Sequence, residues 1–258
     1  MRNLNSMLCW YPLVEHIIPT PKTTIIPLQE IESIDKFLAP LYEGTVKDRE
    51  MKRLLALAEK EITHYPIFLR SDQTSHKHDW NNSCYIKNAQ SLAKGIANIF
   101  EFTLMTETLG FNAIILREFL ELPHDFHAFN GMPISKEFRY FIKNGEVLCR
   151  HPYWFPNCMR HADTKDWLTK LKKLQTLTPE TQTILDEYAL KISRAVEPLK
   201  APDNFWSVDF CIVAGQGWMM TDMALGNDSY HYGTCKNAPP EMLKRYGNPE
   251  DLPKGVST

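Results

Sequence analysis

The stretch from Lys136 to Phe155, KEFRYFIKNGEVLCRHPYWF, constrains the fold more than any other part of the chain. Phe138, Tyr140 and Ile142 alternate with Arg139, Phe141 and Lys143, the period of a strand with two unlike faces. Asn144-Gly145 follows, a pair in which both positions tolerate positive φ, as a tight hairpin turn requires. This predicts an antiparallel sheet. A second hairpin is expected over FWSVDFCIV and GWMMTDMAL, turning around Ala214 to Gly217.

The other elements mix strands with helices. Pro12, Pro19, Pro21 and Pro27 rule out a long helix at the start. TTIIPL, Thr23 to Leu28, reads as a short β-branched strand, and YPIFLRS as another. From Val46 to Ile62, Met51, Leu54, Leu55, Ala58 and Ile62 recur at helical spacing. Asn88 is a cap for a helix running to about Phe102, with Leu92, Ile96 and Ile99 facing inward. NAIILREFLEL, Asn112 to Leu122, is a nearly continuous apolar run, as in a central strand buried on both sides. Two helices are expected after the first hairpin. The second starts at Thr178-Pro179 and carries the stripe Ile184, Leu185, Tyr188, Ile192, Ala195 and Leu199. Beyond Ala238 comes a tail rich in Pro, Gly and charge. There is no internal repeat, and the order of elements is α+β.

A chain of 258 residues suits one large domain or two small, intimately packed lobes. A net charge of -2 excludes nucleic-acid binding driven by bulk charge and leaves a local basic groove open. No apolar run is long enough to span a bilayer, and Pro12, Glu15 and His16 interrupt anything like a signal peptide. The six cysteines, Cys9, Cys84, Cys149, Cys158, Cys211 and Cys235, include no CxxC pair. They read as free, mostly buried thiols in a reducing cytosol. His76 and His78, on either side of Lys77, read as loop residues rather than a metal clip.

Charged residues interrupt the apolar strands. Arg70 ends one, and FLRSDQTSHKHDW (Phe68 to Trp80) runs from it into a loop carrying Lys77. Arg117, Glu118 and Glu121 end another. Glu137 and Arg139 share a face of their strand, Asp209 lies inside SVDFCIV, and Asp222 ends the strand after it. Such groups are costly in apolar strands unless paired or bound to something. Structural ion pairs, Arg117 with Glu137 and Arg139 with Asp209, are one account. The whole set supports another: arginines and a lysine suit phosphate oxygens, and two aspartates on adjacent strands suit Mg²⁺. The chain has no GxxxxGK[ST] and no GxGxxG, so this would be a triphosphate site without a P-loop.

FLRSDQTSHKHDW, ILREFLEL, KEFRYFIKNGEV followed by HPYW, and SVDF…GWMMTDMALGNDSY resemble, in order, the ATP-grasp superfamily. The best match is the R2K-type clade, with two arginines and a lysine, found often in phages and bacteria and related to the cell-division-cycle protein 123 (D123) group. IPTPKTTII is similar to the P-x-P-K-T opening of such domains, and the likeness spans roughly residues 10 to 235.

The resemblance implies two α+β lobes with antiparallel sheets enclosing a nucleotide site. Residues 1–62 would precede the ATP-grasp part, 63–122 form the nucleotide-binding N-lobe, 123–238 the C-lobe and 239–258 a tail. Arg70 and Lys77 would grip the ATP phosphates, with Ser71 to His78 as a phosphate lid. Phe119 and Leu120 would be the hinge at the adenine edge, and Glu121 would hold the ribose. Glu137, Arg139 and Arg117 would serve catalysis beside the triphosphate and acceptor. Asp209 and Asp222 would hold Mg²⁺. In these families an Asn follows the last acid by two residues; here that position is Ala224, so either Asn227 or Asp228 substitutes or the second metal is weak, and one ordered metal is expected more than two.

The implied activity is an ATP- and Mg²⁺-dependent carboxylate–amine ligase acting through an acyl phosphate, on small-molecule or peptide substrates. An assembly factor of D123 type, which binds ATP and docks a partner protein, is the alternative. A nucleotide-free domain with internal ion pairs is the third reading. Tyr153, Trp154 and the helices after them are the acceptor region. The expected location is the cytoplasm, that of a bacterial host if the gene is phage-borne.

Overall fold

The computed structural model describes residues 3–28, 49–105, 112–231 and 235–238. The tail expected after Ala238 and the first turn of the helix expected from Val46 lie outside these residues. The chain divides into two compact units. One comprises Pro21–Phe119 with Asn130–Met132; the other comprises Met1–Thr20, Leu120–Phe129 and Pro133–Thr258.

Helix α1 (Met7–Val14) is capped by Ser6, whose Oγ accepts from the Leu8 N–H at 3.2 Å. The helix was not anticipated, but the prolines do keep it to 8 residues.

The unit beginning at Pro21 holds a sheet of β1 (Thr23–Pro27), β2 (Ile67–Ser71), β3 (Tyr85–Ile86) and β4 (Ala113–Glu118), with helices α2 (Arg49–Glu61) and α3 (Ala89–Met105). The strand order is β1-β4-β2-β3, and all pairs are antiparallel. Ile26, Ile67, Leu69, Ile114 and Leu116 meet Met51, Leu54 and Ala58 of α2 and Leu92, Ile96 and Ile99 of α3 in one core. Asn88 caps α3 as expected, accepting from the Ser91 N–H at 3.2 Å. Strand β4 is buried from Ala113 to Arg117 but stops at Glu118, not Leu122. Both neighbours run out there: Thr23 of β1 pairs with Arg117, and Ile67 of β2 with Glu118.

The other unit holds a sheet of β5 (Glu137–Lys143), β6 (Glu146–Pro152), β7 (Phe205–Val213) and β8 (Gly217–Leu225), in the order β8-β7-β5-β6 and antiparallel throughout. Both expected hairpins are present. Asn144 (φ 50°) and Gly145 (φ 81°) make the first turn as the pair predicts. Between the hairpins come α4 (Trp167–Leu174) and α5 (Pro179–Val196), the latter capped by Thr178 Oγ1. The inward face of α5 keeps Leu185 and Ile192 of the expected stripe but completes it with Ala189 and Val196, all four fully buried, while Ile184 is 46% exposed. The spacing i, i+4, i+7, i+11 is an ideal stripe. Its small members, Ala189 and Ser193, are weak hydrophobic signals in sequence. Tyr140, Val208 and Phe210 form the core on that side of the sheet, with the Tyr140 and Phe210 rings 5.3 Å apart. Among the described residues, no helix is long and apolar enough to cross a membrane.

Candidate functional site

In the unit beginning at Pro21, strand parity decides where the arginines lie. Leu69 and Leu116 pair across β2 and β4 on the face that packs against the helices. Phe68 pairs with Arg117, and Arg70 with Ile115, so both arginines belong to the opposite face. They are diagonal neighbours, a relation that places Cβ atoms about 7–8 Å apart. Arg70 is 2% and Arg117 5% exposed.

The loop after Arg70 is more ordered than a plain solvated turn. Ser71 Oγ accepts from the N–H groups of Gln73 and Thr74 at 3.2 and 2.9 Å. The buried Asp72 accepts from the Asn112 N–H at 3.1 Å. His76, expected to be an ordinary loop residue, is left-handed at φ 48° and stacks on Phe102 with ring centres 3.9 Å apart. Burial lowers its pKa, so it adds little positive charge at neutral pH. Lys77 follows, half-buried, at the head of a 3₁₀ turn over Lys77–Asn82, and His78 is exposed.

Phe119 belongs to an aromatic group with Tyr85 (5.2 Å) and Trp80 (6.3 Å), and Phe68 lies 5.7 Å from Trp80. The chain leaves this unit between Phe119 and Leu120. Glu121 is exposed, and its carbonyl accepts from the Ala214 N–H at 2.9 Å.

In the other unit, one register row crosses all four strands of the sheet. His151 pairs with Arg139, Arg139 with Asp209, and Asp209 with Asp222. Cross-strand partners point to the same face, here the one opposite the Tyr140 and Phe210 side. Glu137 shares that face, paired with Cys211 and only 7% exposed. Arg139 donates through Nε to Asp209 Oδ1 (2.7 Å), through Nη2 to Oδ2 (2.8 Å) and through Nη1 to the Tyr230 carbonyl (3.3 Å). Its guanidinium lies 4.8 Å from the Tyr153 ring centre. Burial opposes the Arg139 charge, but the Asp209 carboxylate outweighs it and drives the pKa up.

Asp222 does not end its strand, because β8 continues to Leu225. A register shift between Met220 and Asp222 leaves Thr221 as the extra residue. This bulge lets Asp222, rather than Thr221, stand beside Asp209. Asp222 is half-buried, and its Oδ1 accepts from the Met223 N–H at 3.0 Å. Ala224, two residues on, faces the same way opposite Ser207 and offers no ligand atom. Asn227 is exposed in the turn Gly226–Asp228, and Asp228 accepts from Asn5 Nδ2 at 2.7 Å. Two adjacent carboxylates are the hard oxygen set that Mg²⁺ takes. Asp209 has both oxygens on Arg139, but each carboxylate oxygen can accept more than one bond.

Of the expected acceptor aromatics, Trp154 is 3% exposed and packs 5.4 Å from Phe129, as a core residue does, while Tyr153 lies against Arg139. Cys9, Cys84 and Cys211 are buried, and the other three cysteines half-buried, with no disulfide among the six. The search for CxxC spacing missed a cluster of Cys149, His151, His231 and Cys235, in which the short-range pairs are mixed Cys and His.

Comparison with known proteins agrees with this geometry. The family described as ATP-grasp domain, R2K clade family 3, matches residues 57–239. Cdc123 from Schizosaccharomyces pombe is similar in structure with a TM-score of 0.51 and 17% identity, covering 85% of this chain and 82% of that one. The VanG D-Ala:D-Ser ligase from Enterococcus faecalis also gives 0.51, at 13% identity, covering 93% of this chain but 58% of the ligase. At such identities the likeness is one of fold. No curated protein matches in sequence. The match over most of its length, with two arginines and a lysine on or just after ordered strands, makes this chain a member of the R2K clade of ATP-grasp domains.

Proposed function

We propose that the chain binds ATP with Mg²⁺ and uses it to join a carboxylate to an amine. The observation that carries the reading is the same in each unit taken by itself: buried and half-buried charges gather on the sheet face opposite the packed core. Arg70 and Arg117 do so in one, and Glu137, Arg139, Asp209 and Asp222 in the other. Two like charges side by side on one sheet face, Arg70 of β2 and Arg117 of β4, suit a polyanionic ligand.

In this reading Arg70 and Lys77 bind phosphate oxygens through charge-assisted hydrogen bonds. Phe119 and Leu120 present backbone groups to the adenine edge beside the aromatic group of Trp80 and Tyr85, and Glu121 accepts from the ribose hydroxyls. Asp222, with Asp209, holds Mg²⁺, which when bound neutralises phosphate charge. Arg139 orients Asp209 through two hydrogen bonds, and Arg117, Glu137 and Arg139 are assigned to stabilising the charge of phosphoryl transfer. The carboxylate substrate takes the γ-phosphoryl group and releases ADP. The amine then attacks the acyl phosphate, and inorganic phosphate leaves as the amide forms. Functional boundaries at 63–122 and 123–238 go with this assignment.

A second reading, a nucleotide-dependent assembly factor that docks a protein, draws on Ala224. A methyl group where a metal-binding Asn would stand weakens the case for turnover more than for binding. The test is release of ADP and phosphate in the presence of panels of carboxylates and amines, beside ATP binding on the same preparation. Acceptor-dependent release supports the ligase. Binding without release under any acceptor pair supports the docking factor.

A further inference from the structure

We propose that Cys149, His151, His231 and Cys235 form a structural zinc site that fastens the segment after β8 to strand β6. The four ligand atoms lie within 4.8 Å of one another. Cys149 and His151 are two apart on β6 and face the same side, opposite Phe141 and Arg139. His231 and Cys235 supply the other pair from the segment beyond β8, with three residues between them. Two ligand pairs, each close in sequence and brought together by the fold, are the usual construction of a structural zinc site.

The local packing already holds these groups in place. The His231 ring stacks on Phe141 with centres 3.9 Å apart, and its Nε2 is 3.1 Å from Cys149 Sγ. An ideal tetrahedral zinc site has ligand-to-ligand edges of about 3.4–3.8 Å at ordinary bond lengths, so closure needs shifts of about 1 Å. Asn237 Nδ2 donates to the Leu148 carbonyl at 3.1 Å, bringing the segment with Cys235 alongside Cys149. Leu148 is the extra residue of a β-bulge, since Cys149 pairs with Phe141 and Val147 with Ile142.

Further observations favour a metal over a polar cluster or a disulfide. His231 is fully buried, and its Nδ1 has no hydrogen-bond partner among the described residues. Two thiolates and two neutral imidazoles cancel the charge of Zn²⁺, so the closed site suits a buried place beside Arg139. A Cys149–Cys235 disulfide would leave both histidines, His231 buried and His151 half-buried, without that role. With four protein ligands and no open position, the ion would be structural. It would fix Tyr230, next to His231, whose carbonyl accepts from Arg139.

The full-length chain, purified under reductant without chelator, is loaded with Zn²⁺, desalted and assayed for metal, then loaded with Co²⁺ for its visible spectrum. ATP is absent throughout, so the outcome is separate from that of the nucleotide reading. The expected result is about one zinc per chain and tetrahedral cobalt bands with sulfur-to-cobalt charge transfer. Cys235→Ser should lose at least about tenfold in zinc affinity, and Cys158→Ser should bind as wild type does. Cys235 lies outside the sheet, so its variant does not threaten the fold. No zinc on the wild-type chain, unchanged zinc affinity in Cys235→Ser, or a Cys149–Cys235 disulfide in non-reducing peptide mapping would each overturn the proposal.

Discussion

Arg139 closes two arms of its guanidinium on Asp209, Nε on Oδ1 at 2.7 Å and Nη2 on Oδ2 at 2.8 Å, across directly paired residues of β5 and β7. The two aspartates of the row therefore have different tasks. Asp209 is held by an arginine whose side chain is 18% exposed, while Asp222 is half-buried and accepts from the Met223 N–H. Removing Asp209 leaves a largely buried cation uncompensated. Asp209→Ala should destabilise the fold by about 3–5 kcal/mol, and Arg139→Met in the same chain should recover much of that loss. A urea double-mutant cycle measures it; additive losses would mean that the pair is not coupled.

Asp222→Asn should change stability by only about 0.5 kcal/mol, because its site is half-buried and an amide oxygen can still accept from the Met223 N–H. What it should change is the dependence of ATP affinity on Mg²⁺, which becomes shallower. A Mg²⁺ titration of ATP binding identical to wild type would remove Asp222 from the metal site.

Lys77→Ala and Arg70→Ala should each weaken ATP binding by about 1.5–3 kcal/mol, at least an order of magnitude. Unchanged affinity in both variants would show that the ordered loop after β2 binds no phosphate. A nucleotide-bound structure checks the remaining contacts, placing the base against Phe119 and Leu120.

The phase of α5 makes a stability prediction. Leu185→Ala should cost about 2–5 kcal/mol, whereas Ile184→Ala, at a residue 46% exposed, should cost less than about 1 kcal/mol. Denaturation midpoints that reverse this order would return the helix to the phase its larger apolar residues suggest.

That contrast shows what the sequence makes legible. Asn144-Gly145 reports its turn because the φ values it needs, 50° and 81°, are themselves a residue preference. Arg139 and Asp209 were visible as an oddity, charge inside apolar strands, and their pairing was one of two readings. The stripe of α5 was right at Leu185 and Ile192 and off by one elsewhere because Ala189 and Ser193 carry little hydrophobic signal, although close packing on a sheet favours small side chains. Strand β4 was read too long because Phe119 and Leu120 are apolar, but a strand ends where its neighbours end, and that depends on partners distant in sequence. Asp222 was placed at a strand end because a bulge at Thr221 shifts the register without a signal in composition. Cys149 and Cys235, 86 positions apart in the numbering, meet only once β6 and the segment after β8 are side by side.

The central claim is that this chain binds ATP together with Mg²⁺, and calorimetry on the intact protein tests it most directly. ATP is titrated in excess Mg²⁺ and again in excess EDTA. The account predicts one site per chain whose affinity falls at least about tenfold in EDTA, since Asp209 and Asp222 would hold a metal that neutralises phosphate charge. Equal affinity in the two buffers, or no binding in either, would contradict it.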